Sequence, residues 1–292
     1  MPNFHSAHAL SLEGDDALAF AQAQFSSNVH DLQNGSWHFS AWLDARGRVR
    51  FFFHLARLAD QRLLLLLRGG DASTMADALQ RYVFRSRVRI NACPPSALGT
   101  GPALPLHAVR QVNDASSTAT ASITDGTLVL GCDTHSLVIG SAVEADDAWR
   151  LLQIRAYWPW LPDNALEQWL PPALGLDRLG ATALDKGCYP GQELVARLHY
   201  RGGHKRHLRQ VRLWRPLPPG AALRQGEREQ VYLLDVVPSG SGAEALAIVP
   251  EELIGDGSAS TFDAQSDTDN FAIQVTICKT PLSPLPHAGS AQ

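Results

Sequence analysis

The chain has 292 residues, which at roughly 150 residues per domain predicts two domains. With 45% hydrophobic and 18% charged residues it is too apolar for a disordered chain, and no apolar run is long enough to span a membrane: Leu63 to Leu67 is closed by Arg62 and Arg68. The net charge of −4 argues against a general nucleic-acid coat or a basic membrane-surface protein.

Asp15 or Asp16 is placed to cap a helix running to Val29, with Leu18, Ala21 and Phe25 on one face. Asn34-Gly35 ends it. Trp37 to Leu58 then reads as two strands broken at Asp44-Ala-Arg-Gly47, and Arg62 to Arg68 adds a third antiparallel strand. Met75, Ala78, Leu79, Tyr82 and Val83 form one helical stripe, which predicts a helix lying on that sheet. Val88 and Ile90 resume an alternating pattern, and Pro94-Pro95 begins a connection rather than another element, with a subdomain break near 95–105. Ile123 to Leu130 predicts a hairpin turning at Asp125-Gly126, and Leu137 to Ile139 another strand. Glu144 to Asp147 starts an amphipathic helix carrying Trp149, Leu152 and Tyr157. After residue 207, prolines separate short β-like runs such as Val231 to Val237 and Ala245 to Val249, the pattern of a small all-β domain. The expected division is a region 1–206 with subdomains 1–100 and 101–206, a β domain 207–279, and a loose tail 280–292.

Met1 to Leu10 has no basic residue and no apolar core of signal-peptide length, so a cytoplasmic protein is expected. Cys93, Cys132, Cys188 and Cys278 form no CxxC pair, which points to neither a zinc module nor a disulfide scaffold; no metal site is expected. One segment concentrates reactive groups: Asp185 to Arg197, followed by His199 to His207. Gly187 and Gly191 let the chain bend, Pro190 fixes one torsion, and Gln192-Glu193 begins a helix. A thiol at Cys188, at that helix start and two residues from Lys186, would be held toward thiolate by the positive helix end and the ammonium. The plainer reading is a buried cysteine acting as a small apolar group. From His199 to Arg215 there are six Arg or Lys, three His and no acid, a stretch suited to a carboxylate or phosphate; with aromatic interleaving limited to Tyr200 and Trp214, direct nucleic-acid binding is the less favoured reading. Charge is uneven: residues 1–219 carry 22 Arg and Lys against 19 Asp and Glu, residues 220–292 only 3 against 10.

The run Lys186, Gly187, Cys188, Tyr189, Gly191, Gln192, Glu193, Ala196 and Arg197 resembles the hallmark of the YgfZ family of folate-binding proteins, relatives of the glycine cleavage T-protein linked to iron-sulfur cluster assembly and tRNA modification. Leu43 to Arg48, Gln80 to Val88, Trp149 with Ile154 and Pro159, and Ala245 to Val249 are similar to family stretches in the same order. The resemblance implies an α+β, aminomethyltransferase-like folate-binding fold of antiparallel sheets and packed helices with a small C-terminal β-barrel. It implies tetrahydrofolate or a derivative as cofactor, held by Trp149, Tyr189, Gln192, Glu193 and Arg197, with Cys188 as the functional thiol and Lys186 tuning it. Iron-sulfur assembly or client proteins would be the partners, without stable membrane contact. Two departures stand out. Tyr157-Trp158 replaces a Gly usual before the Pro, and Arg50-Phe51 follows Val49 where the T-protein carries an acidic pair serving folate chemistry. The expected role is therefore assistance to cluster assembly or repair rather than conventional catalysis. A folate-dependent aminomethyl transferase and a non-catalytic scaffold are the alternatives.

Overall fold

The computed structural model describes residues 5–113, 126–141, 143–254, 260–266 and 269–278. The first half of the hairpin expected at Ile123–Leu130, with its turn residue Asp125, and the tail 280–292 lie outside the described residues.

Two five-stranded antiparallel sheets and a closed barrel make up the fold. The first sheet is built from β2 (Ala9–Glu13), β3 (Ser36–Leu43), β4 (Val49–Ala59), β5 (Arg62–Leu67) and β6 (Arg89–Ala92), in the order β3-β4-β5-β2-β6. Its central strands are buried on both faces. Leu64 and Leu66 join Phe52 and Ala56 in one core cluster, whereas Leu63, Leu65 and Leu67 join Phe51, Phe53 and Leu55 in another. This two-sided burial explains an unbroken leucine run where a half-exposed strand would alternate. Each leucine enclosed in this way contributes about 1.5–3 kcal/mol of transfer free energy.

Helices α1 (Ala17–Gln24) and α2 (Ala72–Gln80) cover one face. Asp71 caps α2 by accepting from Thr74 N at 2.8 Å. Both helices stop short of the expected ends. The chain is already extended at Phe25, because Ser26 N donates to Ala41 O of β3 at 2.9 Å. The buried face of α1 is Ala17, Phe20 and Ala21, leaving Leu18 half-buried. Asp16 precedes α1, but its carboxylate accepts from Arg87 N instead of capping it. Past Gln80 the stripe ends, and Tyr82 is exposed.

The second sheet has the order β1-β7-β10-β9-β8, from β1 (Ser6–Ala7), β7 (Ser96–Gly101), β8 (Val109–Asn113), β9 (Gly126–Gly131) and β10 (Ser136–Gly140). A strand at 96–101 replaces the expected connection; its small residues hid it, since a Cβ on Gly99 would lie 2.5 Å from Glu144 O. Helix α3 (Ala148–Arg155) runs from this sheet to the barrel. The barrel closes in the order β11-β14-β13-β12-β15-β16, with β11 (Arg206–Leu213), β12 (Ala222–Gln225), β13 (Arg228–Ser239), β14 (Gly242–Pro250), β15 (Ser260–Ser266) and β16 (Asp269–Ile277). Buried Arg150 of α3 fastens the two parts together, donating to Asp235 of β13 and to Val236 O. Burial by itself would lower the Arg150 guanidinium, yet Asp235 and Asp147 hold it above its usual value. Among the described residues no helix is long and apolar enough to cross a membrane.

Candidate functional site

The reactive segment forms a loop followed by helix α4 (Gln192–Arg201), as the sequence predicts. Its anchors come from the first 41 residues. The Ser26 hydroxyl donates to Ala181 O at 2.6 Å and accepts from Ala41 N at 3.0 Å, while Ala183 N donates to Ser26 O at 2.8 Å. Tyr189, buried, donates from its hydroxyl to Ala183 O at 3.0 Å and so closes residues 183–189 into a ring. Burial pushes this phenol up to about 12.

Gly191 takes φ +78°, and a Cβ there would lie 2.6 Å from Asp44 O and 2.7 Å from Gly47 Cα. The turn between β3 and β4 is thus pressed backbone to backbone on the start of α4, which only a glycine at 191 allows, and Gly47 opposite it takes φ +74°. Gly187 has no such constraint: a Cβ there would meet nothing within 4 Å.

Lys186 and Cys188 part company. The Lys186 ammonium turns inward and donates to Phe25 O and, at 2.8 Å, to Ser27 O, with Tyr189 beneath it at 4.9 Å from ring centroid to Nζ. Burial pulls it down to about 8. Two carbonyls therefore engage the charge that the sequence assigned to the thiol, and Lys186 serves the loop's anchorage. Ser27 continues the polar network, donating to Ser40 Oγ at 2.7 Å and lying 2.9 Å from His38 Nε2. Cys188 points the other way and is exposed, as are Glu193 and Arg197. Gln192 is half-buried, its backbone N donating to Tyr189 O at 3.2 Å.

Trp149 lies elsewhere. It is 0% exposed, its indole N–H donates to Asp146 O at 3.0 Å, and it packs against Trp160 at 5.0 Å between ring centroids. Trp160, not Trp149, faces a cavity of about 290 Å³ bounded by the N-terminal segment, the end of β5 and the barrel. Trp149 does not line this cavity and packs behind Trp160. The cavity's polar edge comes from His5, Ser6, His8, Asp163 and Asp235. His5 is held by Asp147, to which its Nδ1 lies 3.7 Å away, and His8 by Asp71 at 3.5 Å. Although burial opposes it, hydrogen bonds from His5 and Arg150 keep the Asp147 carboxyl below the usual range. Residues 185–197 do not line this cavity, so thiol and cavity are separate sites.

Sequence reasoning missed His5, His8, Trp160 and Asp235. The one available signal was the Tyr157-Trp158 departure. Tyr157 sits at φ +61°, where glycine is at ease, and the turn is held by Arg178 donating to Ala156 O at 3.0 Å and Tyr157 O at 2.9 Å. Among the described residues, no cluster of three or more His, Cys, Asp or Glu is arranged to hold a metal ion.

No protein-family model matches the chain. It is similar to the tRNA-modifying protein YgfZ of Vibrio vulnificus, 26% identical over 213 residues, and to that of Aliivibrio fischeri, 28% identical over 211 residues, each match covering 68% of the chain. The chain spans 65% and 66% of the length of these two relatives. Among solved structures, it matches the glycine cleavage system aminomethyltransferase T from Bartonella henselae with a TM-score of 0.64 at 15% identity, over 94% of this chain and 83% of that one. The fold is accordingly aminomethyltransferase-like with a C-terminal barrel, and the similarity to the two relatives extends over 68% of the chain.

Proposed function

We propose that this chain, like the YgfZ proteins it resembles, is a folate-binding protein that supports tRNA modification by assisting iron-sulfur cluster assembly or repair, with Cys188 as its functional thiol. The observation that carries the folate part is the cavity walled by Trp160 and edged by carboxylates. A pterin is flat, aromatic and rimmed by N–H donors; Trp160 supplies a ring to stack on, and Asp235 and Asp163 supply acceptors. At about 290 Å³ the cavity takes a bicyclic head group and leaves the glutamate tail outside. Tetrahydrofolate, when bound, would supply one-carbon or redox chemistry at its reduced ring. The chain's own residues bind and orient that ring: Arg150 takes one oxygen of Asp235 and fixes its direction, and Asp71 and Asp147 steady the two histidines.

In this reading Cys188 acts on a partner or a transient cluster rather than on folate, because it opens to solvent away from the cavity. The aminomethyl-transfer alternative is less well supported. Arg50, standing where the T-protein's acidic pair is expected, donates to Glu167 at 2.9 Å and lies 4.3 Å over Trp42, a cation in place of a proton acceptor.

Calorimetry with reduced folates tests the cavity: wild-type chain binds with quenching of Trp fluorescence, and Trp160→Ala loses both. Absence of binding at millimolar ligand would withdraw the folate reading. Cys188→Ser, which keeps the fold, abolishes support of a cluster-dependent tRNA-modifying enzyme in a complementation assay; full complementation removes the thiol's role.

A further inference from the structure

The contact between Gly47 and Gly191 brings together cations that the sequence holds far apart. Arg46 and Arg48, exposed at the β3–β4 turn, stand beside α4, which presents Arg197, Tyr200 and Arg201 on one outward stripe. Positions 197 and 201 are one turn apart, about 6 Å along the axis. On the other side of the turn, Trp42 carries the Arg50 guanidinium at 4.3 Å and meets the ring of Tyr82 edge-on at 5.9 Å. Beyond Tyr82, Phe84 is 85% exposed with Arg85 over its ring at 5.3 Å, and Arg81 is exposed beside them. Together these groups form a band flanking the β3–β4 turn in which exposed arginines stand among exposed rings, Tyr200 being 76% and Tyr82 49% exposed.

Among the described residues no carboxylate pairs with Arg46, Arg81, Arg85, Arg197 or Arg201. Nearby acids are accounted for. Asp44 accepts from Arg46 N and Arg48 N within its own turn, Glu167 holds Arg50, Asp185 is exposed in the loop before α4, and Glu193, one turn before Arg197, is an exposed acid at the start of the α4 stripe. The band ends at Arg87, which is taken by Asp15 at 2.7 Å and Asp16 at 3.5 Å.

We propose that this band is a docking surface for single-stranded RNA. Arginine forks match phosphate oxygens in pairs, and exposed rings between them offer faces to unstacked bases. An acidic protein partner is less favoured, because protein interfaces need a buried apolar centre and this band offers rings spaced among charges. The choice of RNA over DNA rests on the proposed part in tRNA modification; the arrangement of cations and rings does not. The net negative charge of the chain misleads here, since 10 of its 29 acids fall in residues 220–292.

Fluorescence anisotropy of the full chain with labelled oligouridylate tests this, independently of folate or of Cys188. If the six arginines 46, 48, 81, 85, 197 and 201 all meet phosphates, the slope of log K against log salt is about −4, a loss of about 300-fold between 50 and 200 mM salt. The double charge reversal R46E/R201E weakens binding at least about 10-fold and makes the slope shallower by about 1 to 2. Tyr200→Ala and Phe84→Ala each weaken it about 5-fold or more, which keeps the test valid should the double variant misfold. No binding at 50 mM salt, unchanged binding by all these variants, or tighter binding of polyglutamate or oligothymidylate than of oligouridylate overturns the proposal.

Discussion

The two motif glycines should respond very unequally to the same substitution. At Gly191 an alanine keeps φ near +78°, which costs about 1–2 kcal/mol for an L residue, and its Cβ is driven into Asp44 O and Gly47 Cα. Relieving that overlap moves backbone against backbone, a further cost of about 1–3 kcal/mol. The smaller conformational freedom of alanine in the unfolded chain returns less than about 1 kcal/mol. Gly191→Ala should therefore lose about 2–4 kcal/mol. At Gly187 the added methyl meets open space, and the loss should stay within about 0.5 kcal/mol. Urea unfolding followed by Trp fluorescence measures both: with a slope of about 3 kcal/mol/M, the Gly191 variant shifts its midpoint by about 1 M and the Gly187 variant hardly moves. Equal midpoints for the two variants would refute the argument that backbone contact with the Asp44–Gly47 turn fixes the motif.

Lys186 is held at about 8 in the folded chain against 10.5 unfolded, so both states are protonated below pH 8 and the burial cost is fully present there. As pH rises from 8 to 10.5 the folded state sheds its proton first, and wild-type stability should climb by about 2 kcal/mol relative to Lys186→Met, allowing for solvent screening; a pH-independent difference contradicts this. Arg150→Met strands the buried Asp235 carboxylate and should cost about 3–5 kcal/mol, most of it recovered in the double variant R150M/D235L. If the single variant unfolds like wild type, the bridge is not what joins α3 to the barrel. Ellman's reagent should label Cys188 first, because it is exposed, and Cys132 only on unfolding, because burial pushes its thiol up to about 12. Cys188→Ser should abolish the fast phase; its persistence places the reactive thiol elsewhere.

Local features were readable where the pattern and the tertiary environment agree. The Asp44–Gly47 break, the helix carrying Met75, Ala78 and Leu79, and the α4 start at Gln192 appear where residue chemistry places them. Features decided by distant partners were not. Lys186 sits two residues from Cys188, yet its orientation is set by carbonyls some 160 positions earlier. Trp149 carries a family resemblance but no information on which of its faces is covered; Trp160, eleven residues on, takes the cavity side. His5 and His8 resemble nothing in isolation, and only closure of the barrel end near Asp235 gives them a site. Strand β7 was concealed because glycine and serine, usually turn residues, are there to admit close neighbours.

The joining of residues 25–27 to residues 181–186 sets a clock on biosynthesis. The carbonyls of Phe25 and Ser27 leave the ribosome about 160 residues before Lys186 does. At about 5–20 residues per second, the interval is on the order of 10–30 s. Throughout it, α1 and the strand pair behind it must hold without the ammonium and the Ser26–Ala181 bond that later fasten them. A chain terminated before residue 181 would carry the whole first sheet but no means of closing its edge beside Ser26. The exposed thiol is thus presented by a scaffold completed only once Lys186 has emerged.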